Sequence, residues 1–349
     1  MGIFALERDH REGSDVEDVL ARARSLVDPA LRAAVDTLPE ALRRVTGYHF
    51  GWTEPDGAPA TGSSGKAIRP ALVLAASQAL GGDPAAAVGA AAAIELIHNF
   101  SLLHDDVIDG DDTRRHRQTA WRVFGTTEAI LAGDALHALA LRILAEDTHP
   151  AAQRAVRRLA DCVVELCAGQ QADCAFEQRG DVSIEECLAM AGSKTGALLG
   201  CACALGALYA GAGDEAADAM DAFGREIGLA FQLIDDLIGI WGDPDVTGKP
   251  VGADLVARKK SLPVVAALAA GTAEAAVLAS LYGLERPLTD DELARCATAV
   301  DRAGGRAWAQ GESCERMASA IAHLAQAVPE PAAADDLLAL AELVTRRSH

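Results

Sequence analysis

The chain has 349 residues, half of them hydrophobic and only 4% aromatic, so it can bury a sizeable core. Its 31 Lys and Arg stand against 51 Asp and Glu, a formal net charge of −20, which argues against a nucleic-acid surface or an anionic membrane as the main partner. Eight cysteines occur with no CxxC pair and no histidine spacing suited to zinc, and their Ala/Leu-rich surroundings predict buried, reduced thiols.

Residues 1–17 predict a flexible polar tail, with charges early and no apolar signal-peptide core. No run reaches the roughly 18 uncharged apolar residues of a membrane span, so the chain is expected to be cytoplasmic. From 18 to 45 the text reads as helix punctuated by prolines, and 51–65, GWTEPDGAPATGSSG, is loop chemistry. Apolar helical runs follow near 67–80, 85–109, 126–146, 150–178, 183–211, 213–241 and 261–282, with further helices beyond. Alanine and leucine dominate and β-branched alternation is scarce, which favours helix throughout. With no linker and no repeat, 18–349 is expected to form one all-α domain of ten or more helices.

Two of these helices carry similar chemistry. In the first, LLHDDVIDGDDTRR sets five carboxylates within eight positions, and Glu95, His98, Leu102, Asp105 and Asp109 recur at steps that share one helix face. In the second, Met220, Phe223, Ile227, Phe231, Ile234, Ile238 and Trp241 mark the expected buried stripe, with Asp235 and Asp236 beside it. Each helix places an Asp-Asp pair toward its electronegative C-terminal end. Two readings are open: a solvated acidic helix end, or a site for Mg²⁺, which takes carboxylate oxygens together with waters and substrate phosphates. A phosphate-bearing ligand also needs cations. Lys66, Arg69, Arg114, Arg115, Lys194, Lys249, Lys259 and Lys260 stand beside Gly, Thr or Pro turns.

The motifs GKAIRP, ELIHNFSLLHDDVID with DTRR, AGDAL, GQQAD, SKTGALL, FQLIDD and GKPVGADLVARKKSLP occur in that order between about 60 and 270. Together they resemble the polyprenyl synthetase family of trans-isoprenyl diphosphate synthases. The resemblance implies an all-α isoprenoid synthase-type helical bundle around a deep central cavity, usually homodimeric. It implies a Mg²⁺-dependent condensation of isopentenyl diphosphate with allylic diphosphates (dimethylallyl, geranyl, farnesyl). By the same resemblance, Asp105, Asp109 and Asp235 hold three Mg²⁺ on the allylic diphosphate, supported by Asp106 and Asp236. Arg114, Lys194, Lys249 and Lys259 contact that diphosphate. Lys66, Arg69, His98 and Arg115 bind isopentenyl diphosphate, and Gln170, Thr195 and Gln232 line the reaction zone.

Two positions depart from the family pattern. Gly239 stands where a third aspartate of the second acidic motif is common, and Ala67 where an arginine is frequent. Activity is expected to survive both. Phe100 and Ser101, five and four positions before Asp105, resemble the floor of short-chain synthases and imply geranylgeranyl diphosphate (C20), with farnesyl diphosphate (C15) as runner-up; ordinary core is the other reading of Phe100. A terpene cyclase would not need the isopentenyl diphosphate set. A His-Asp phosphohydrolase centred on His104-Asp105 would leave Asp235 and Asp236 unexplained. A non-catalytic partner subunit is the third rival, with Gly239 as its sign of decay.

Overall fold

The computed structural model describes residues 15–60, 65–242 and 252–345. Helix α1 (Val16–Val35) starts where the Asp15 carboxylate accepts from the Glu17 amide, and it runs through Pro29 without ending. Its start at Val16 lies just inside the stretch expected to be tail, of which residues 1–14 fall outside the described residues. Pro39 then caps α2 (Glu40–His49). Helices α3 (Ile68–Ala79) and α4 (Val88–Ile108) follow, and a two-residue hairpin joins β1 (Thr113–Arg114) to β2 (Arg117–Gln118). After α5 (Ala120–Phe124) come α6 (Thr126–Glu146) and α7 (Ala152–Glu177).

The run expected as one helix over 183–211 is interrupted. It consists of α8 (Ile184–Ala191), a π turn over Gly192–Gly196, and α9 (Ala197–Tyr209). Helix α10 (Asp214–Trp241) is the longest described helix. The run over 261–282 also breaks. Gly271 takes a positive φ of 66° and Thr272 caps a new helix, so α11 (Ala253–Val256) is followed by separate helices α12 (Leu262–Ala269) and α13 (Ala273–Tyr282). A left-handed glycine ends a helix at little steric cost. Helices α14 (Asp290–Arg302), α15 (Gly305–Ala327) and α16 (Asp335–Thr345) complete the chain.

Every residue of α9 is buried, and α9 packs on α3 and α10 while α4 packs on α6 and α10 on α15. The main core joins α1, α3, α4, α6, α7 and α9 with the first half of α10. The second half of α10 enters two smaller clusters, one with Leu255, Val264, Leu278 and Val300, the other with Cys187, Leu262 and Val265. Helix α10 therefore ties all three together. Contrary to the hydropathy expectation, Pro84–Ile108 and Ile184–Tyr209 are long and apolar enough to cross a membrane by length and composition. Their apolar windows are 72% and 67% buried inside the bundle, so core packing accounts for their composition. All eight cysteines are free thiols, but Cys167 and Cys314 are exposed rather than buried.

Candidate active site

A cavity of about 900 Å³ opens between α4, α7, the π turn, α10 and the segment entering α3. Eight Lys or Arg and six Asp or Glu line it, so within a chain of net charge −20 this cleft has an excess of cations. That local inversion suits an anionic ligand. The charges form two groups, one built around the acidic helix ends and one around Arg69 and Arg115.

In the acidic group, the helical period of α4 does what the spacing predicts: Glu95, His98, Leu102, Asp105 and Asp109 all face the cavity. Burial pushes the Asp105 carboxyl up to about 6; Lys194 opposes the shift, and Asp109 and Asp173 add to it. Burial also raises Asp109, against the pull of Lys194. Asp106 points away from the cavity. Its Oδ1 accepts from Arg114 Nε at 2.6 Å, and its Oδ2 is buried with no hydrogen-bond partner among the described residues.

From the facing wall, α10 contributes Asp235 and Asp236. Asp236 Oδ2 accepts from the Leu262 amide at the start of α12 (2.9 Å), and Oδ1 accepts from Gln232 Nε2 (2.9 Å) with Lys259 Nζ 3.6 Å away. Gln232 Oε1 in turn accepts from Thr195 Oγ1 at 2.9 Å. Asp236 holds the Lys259 ammonium well above its ordinary pKa, against the cost of burial. Lys194, on the π turn, pairs with Asp173 at 2.6 Å. Burial works against its charge, but Asp173, Asp105 and Asp109 together outweigh it and raise its pKa.

The π turn can press against α7 because residue 169 is glycine. A Cβ there would lie 2.5 Å from the Lys194 amide nitrogen, a distance real side chains do not tolerate. Single π turns inside α-helices are frequently found at functional sites. Here the turn places Lys194 and Thr195 in succession on the cavity wall.

In the basic group, Arg69 Nη1 lies 3.2 Å from His98 Nε2. Burial, then Arg69 and Arg115, push His98 well below its usual pKa, so the neutral ring accepts this hydrogen bond. Glu95 is raised by burial while Arg69, Asn99 and Arg115 oppose the shift. Arg115 and His116 form the hairpin turn at positive φ, 52° and 62°, and Ala67 beside Lys66 also takes a positive φ of 55°. Residues other than glycine pay strain in this region, and such strain clusters at ligand sites.

The cavity thus gathers Lys66, Arg69, His98, Ser101, Asp105, Asp109, Arg114, Arg115, Lys194, Thr195, Gln232, Asp235, Asp236 and Lys259. Lys249 lies outside the described residues. Three expectations need correcting. Gln170 is buried in α7 and is not among the residues lining the cavity; its Nε2 approaches Cys174 Sγ instead. Phe100 does not line it either. Its ring stacks on His137 of α6 at 5.2 Å and meets His104 edge-on at 4.8 Å. At 3.6 residues per turn, the fifth residue before Asp105 turns to another face while the fourth, Ser101, stays on the cavity side. Phe231, expected in the buried stripe, lines the cavity. His104 faces α6, its Nε2 3.0 Å from the Ile130 carbonyl, so a His104-Asp105 metal pair does not form.

Two lining residues among the Lys, Arg, Asp and Glu, Asp173 and Arg24, escaped the sequence reading. Asp173 stands three positions after Gln170 in the same motif, where a one-turn step would have found it. Arg24 comes from α1, and its Nε is buried without a hydrogen-bond partner among the described residues. No local pattern near Arg24 signals this placement.

Comparison with known proteins follows the same lines. The chain is 51% identical over 330 residues to a geranylgeranyl diphosphate synthase of Mycobacterium tuberculosis (strain ATCC 25618 / H37Rv), covering 94% of this chain and 93% of that protein. It is 45% identical to a (2E,6E)-farnesyl diphosphate synthase of Mycobacterium bovis, covering 91% and 89%. The crystal structure of a polyprenyl synthetase from Streptomyces coelicolor A3(2) superposes with a TM-score of 0.90 at 48% identity, over 95% of this chain and 99% of that one. The family model described as polyprenyl synthetase matches residues 58–300. Both acidic helix ends and the π turn fall within that match, and the chain belongs to the polyprenyl synthetase family.

Proposed function

We propose that this chain is a Mg²⁺-dependent trans-prenyltransferase that condenses isopentenyl diphosphate with allylic diphosphates to a short-chain prenyl diphosphate. The observation that carries the reading is a single cavity shared by carboxylates from α4 and α10 and by a separate basic group. The donor set fits Mg²⁺: Asp105, Asp109 and Asp235 offer only carboxylate oxygen, the ligand that ion prefers. Among the described residues no three His, Cys, Asp or Glu side chains close a cage by themselves. Mg²⁺ is commonly completed by water and substrate phosphate, and three ions are expected with a diphosphate bound. Bound Mg²⁺ neutralises charge developing on a leaving diphosphate.

The chain's own residues do the rest. Asp105, Asp109 and Asp235 would hold the ions; Asp236 would support them by orienting Lys259, and Asp106, which points away from the cavity, only by orienting Arg114. Arg114, Lys194 and Lys259, with Lys249, supply cations to the allylic diphosphate, so that its C–O bond can ionise. Lys66, Arg69, His98 and Arg115 hold the diphosphate of isopentenyl diphosphate, whose alkene then attacks the allylic cation, and the proton passes to the departed diphosphate. The Thr195–Gln232 hydrogen bond presents oriented dipoles to the reaction zone. A terpene cyclase would have no use for the second basic group, which disfavours that alternative.

Among the short-chain products we favour C20 over C15, supported by the higher identity to a geranylgeranyl diphosphate synthase. Ser101, Leu102, Met190 and Phe231, all on the cavity wall, are the side chains placed to limit the tail. A single domain over 18–349, a cytoplasmic location and a homodimer complete the reading. The burial of both apolar helices inside the bundle accounts for their composition without a membrane span, and exposed Ile130 and Leu131 on α6 supply apolar surface for the dimer. The test is incubation of the purified chain with Mg²⁺, isopentenyl diphosphate and each allylic primer, with product length read after dephosphorylation. Accumulation of C20 is expected; folded protein that elongates no primer overturns the assignment.

A further inference from the structure

The hairpin that carries Arg114 and Arg115 to the cavity brings a third arginine with it. Its register sets Arg117 of β2 opposite Arg114 of β1. Like charges directly across an antiparallel pair repel, so each guanidinium needs an acceptor of its own. Arg114 finds Asp106 on α4 at 2.6 Å. Arg117 turns to the segment after α2 instead. Its Nη2 donates to the Thr53 carbonyl and to Glu54 Oε2, both at 3.0 Å, and its guanidinium lies 4.3 Å over the Tyr48 ring. The Tyr48 hydroxyl donates in turn to the Gln118 carbonyl at 2.8 Å. This anchor is itself fixed: Tyr48 and Phe50 are buried, Phe50 stacks on Trp52 at 4.4 Å, and Thr53 pairs with Pro59 across a β-bridge.

Between the hairpin and the end of α2 lies a chamber of about 180 Å³, bordered by His49, Asp106, Arg114, Arg115 and Arg117, so core packing does not fill this side of the hairpin. The turn is strained as well, with Arg115 and His116 at positive φ. Strain of that kind persists where surrounding contacts over-determine the backbone, and over a hollow the anchors must do this. Arg114, Arg115 and His116 line the active-site cavity whereas Arg117 does not. We propose that Arg117 is a positioning residue for both diphosphates: it ties the hairpin to Tyr48, Thr53 and Glu54 and so sets Arg114 and Arg115 in place before substrate arrives. The inference rests on the prenyl-transfer reading above and adds a residue that touches neither substrate. Without the tie both arginines remain, but the arriving diphosphate has to order them. Ordering is a cost of binding, so affinity falls for both substrates while turnover at saturation is largely kept.

The experiment compares the wild type with Arg117→Ala, Arg117→Lys and Glu54→Gln by calorimetry with Mg²⁺ and inorganic diphosphate, by hydrogen exchange, by thermal melting and by steady-state kinetics. Arg117→Ala is expected to weaken diphosphate binding roughly 10-fold, the scale for losing hydrogen bonds made by a charged group. KM for isopentenyl diphosphate and for the allylic primer should rise by a similar factor, with kcat little changed. Amides over 113–119 should exchange faster in the free variant than in the free wild type and slow again once Mg²⁺ and diphosphate bind. Arg117→Lys, which keeps the charge and one donor, is expected to fall between the two. Glu54→Gln, at a half-exposed side chain, should weaken binding about two- to fivefold. Wild-type diphosphate affinity in Arg117→Ala, unchanged exchange over 113–119, or a rise in KM for one substrate alone overturns the proposal. A variant that melts lower yet binds as the wild type does makes Arg117 structural and also overturns it. Should Arg117→Ala not fold, wild-type affinity in both Arg117→Lys and Glu54→Gln overturns it instead. Wild type that binds diphosphate but elongates no primer sinks the prenyl-transfer reading and leaves the binding and exchange comparison to decide on Arg117.

Discussion

At the end of α4 the second carboxylate of the acidic pair, Asp106, is held by one side chain, Arg114, itself 30% exposed at the cavity wall. At the end of α10 the equivalent carboxylate, Asp236, is held by the backbone amide that opens α12 and by Gln232, which Thr195 anchors in turn. The contrast is between a wall that can rearrange and a wall that cannot. Losing the Arg114–Asp106 contact would unpair no backbone group, whereas releasing Asp236 would unpair the first turn of α12.

The largest effect should come from the carboxylates that face the cavity. Asp105→Ala and Asp235→Ala are each expected to lower kcat by about 10²- to 10³-fold, the scale for removing one group that stabilises developing charge, measured by isopentenyl diphosphate incorporation at saturating Mg²⁺. A loss confined to one of the two would break the idea that both helix ends serve one diphosphate.

Stability separates the two walls next. Asp236→Ala leaves the Leu262 amide and the Gln232 amide group unpaired in a buried place, which costs about 1–3 kcal/mol. Asp106→Ala frees a partly exposed arginine and should cost under about 1 kcal/mol. Denaturant melts of both variants without Mg²⁺ check this, and equal destabilisation would erase the distinction.

Much of this site was legible in the sequence because helices are periodic. Once α4 was read as a helix, the spacing put Glu95, His98, Asp105 and Asp109 on one face, and the family resemblance supplied the cavity that this face and Asp235 line. Helix interruptions were not legible. The π turn at Lys194 depends on Gly169 of another helix, and the break at Gly271 lies within continuous Ala/Leu text. Phe100 was misplaced for a related reason: counting rise along an axis gives depth but ignores rotation, and the fifth residue back faces α6. Arg24 and the contacts that tie Arg117 to Tyr48, Thr53 and Glu54 are long-range facts. Each depends on what another segment brings, which no local pattern encodes.

Arg24 sharpens the comparison at the basic group. Its Nε is buried at the cavity wall, and a hydrogen bond to a charged group contributes about 1.5–3 kcal/mol. Arg24→Ala is therefore expected to raise KM for isopentenyl diphosphate roughly 10-fold with little change in kcat or in KM for the allylic primer. An equal rise in both KM values would mean that α1 only shapes the cavity.

The smallest effect concerns protonation, where the acidic and basic groups oppose each other. Burial, with Arg115 and Arg114 adding to it and Asn99 opposing, lowers His49 from 6.5 to about 3. In the interval between those values the unfolded chain binds a proton at this site that the folded chain does not, so His49 contributes stability that is present above about 6.5 and drains away as pH falls toward 3. Burial raises Glu95 and Asp105, and these carboxyls do the reverse: the fold holds protons there that the unfolded chain has released, so acidification favours the fold until their unfolded values are passed. The two tendencies partly cancel in the wild type, and His49→Gln removes only the first. Between pH 6.5 and 5.5 the variant should lose up to about 1 kcal/mol less stability than the wild type, read from urea melts without Mg²⁺. Parallel curves would show that His49 takes up its proton as readily in the fold as in the unfolded chain, and that the site tolerates a further cation beside Arg114 and Arg115.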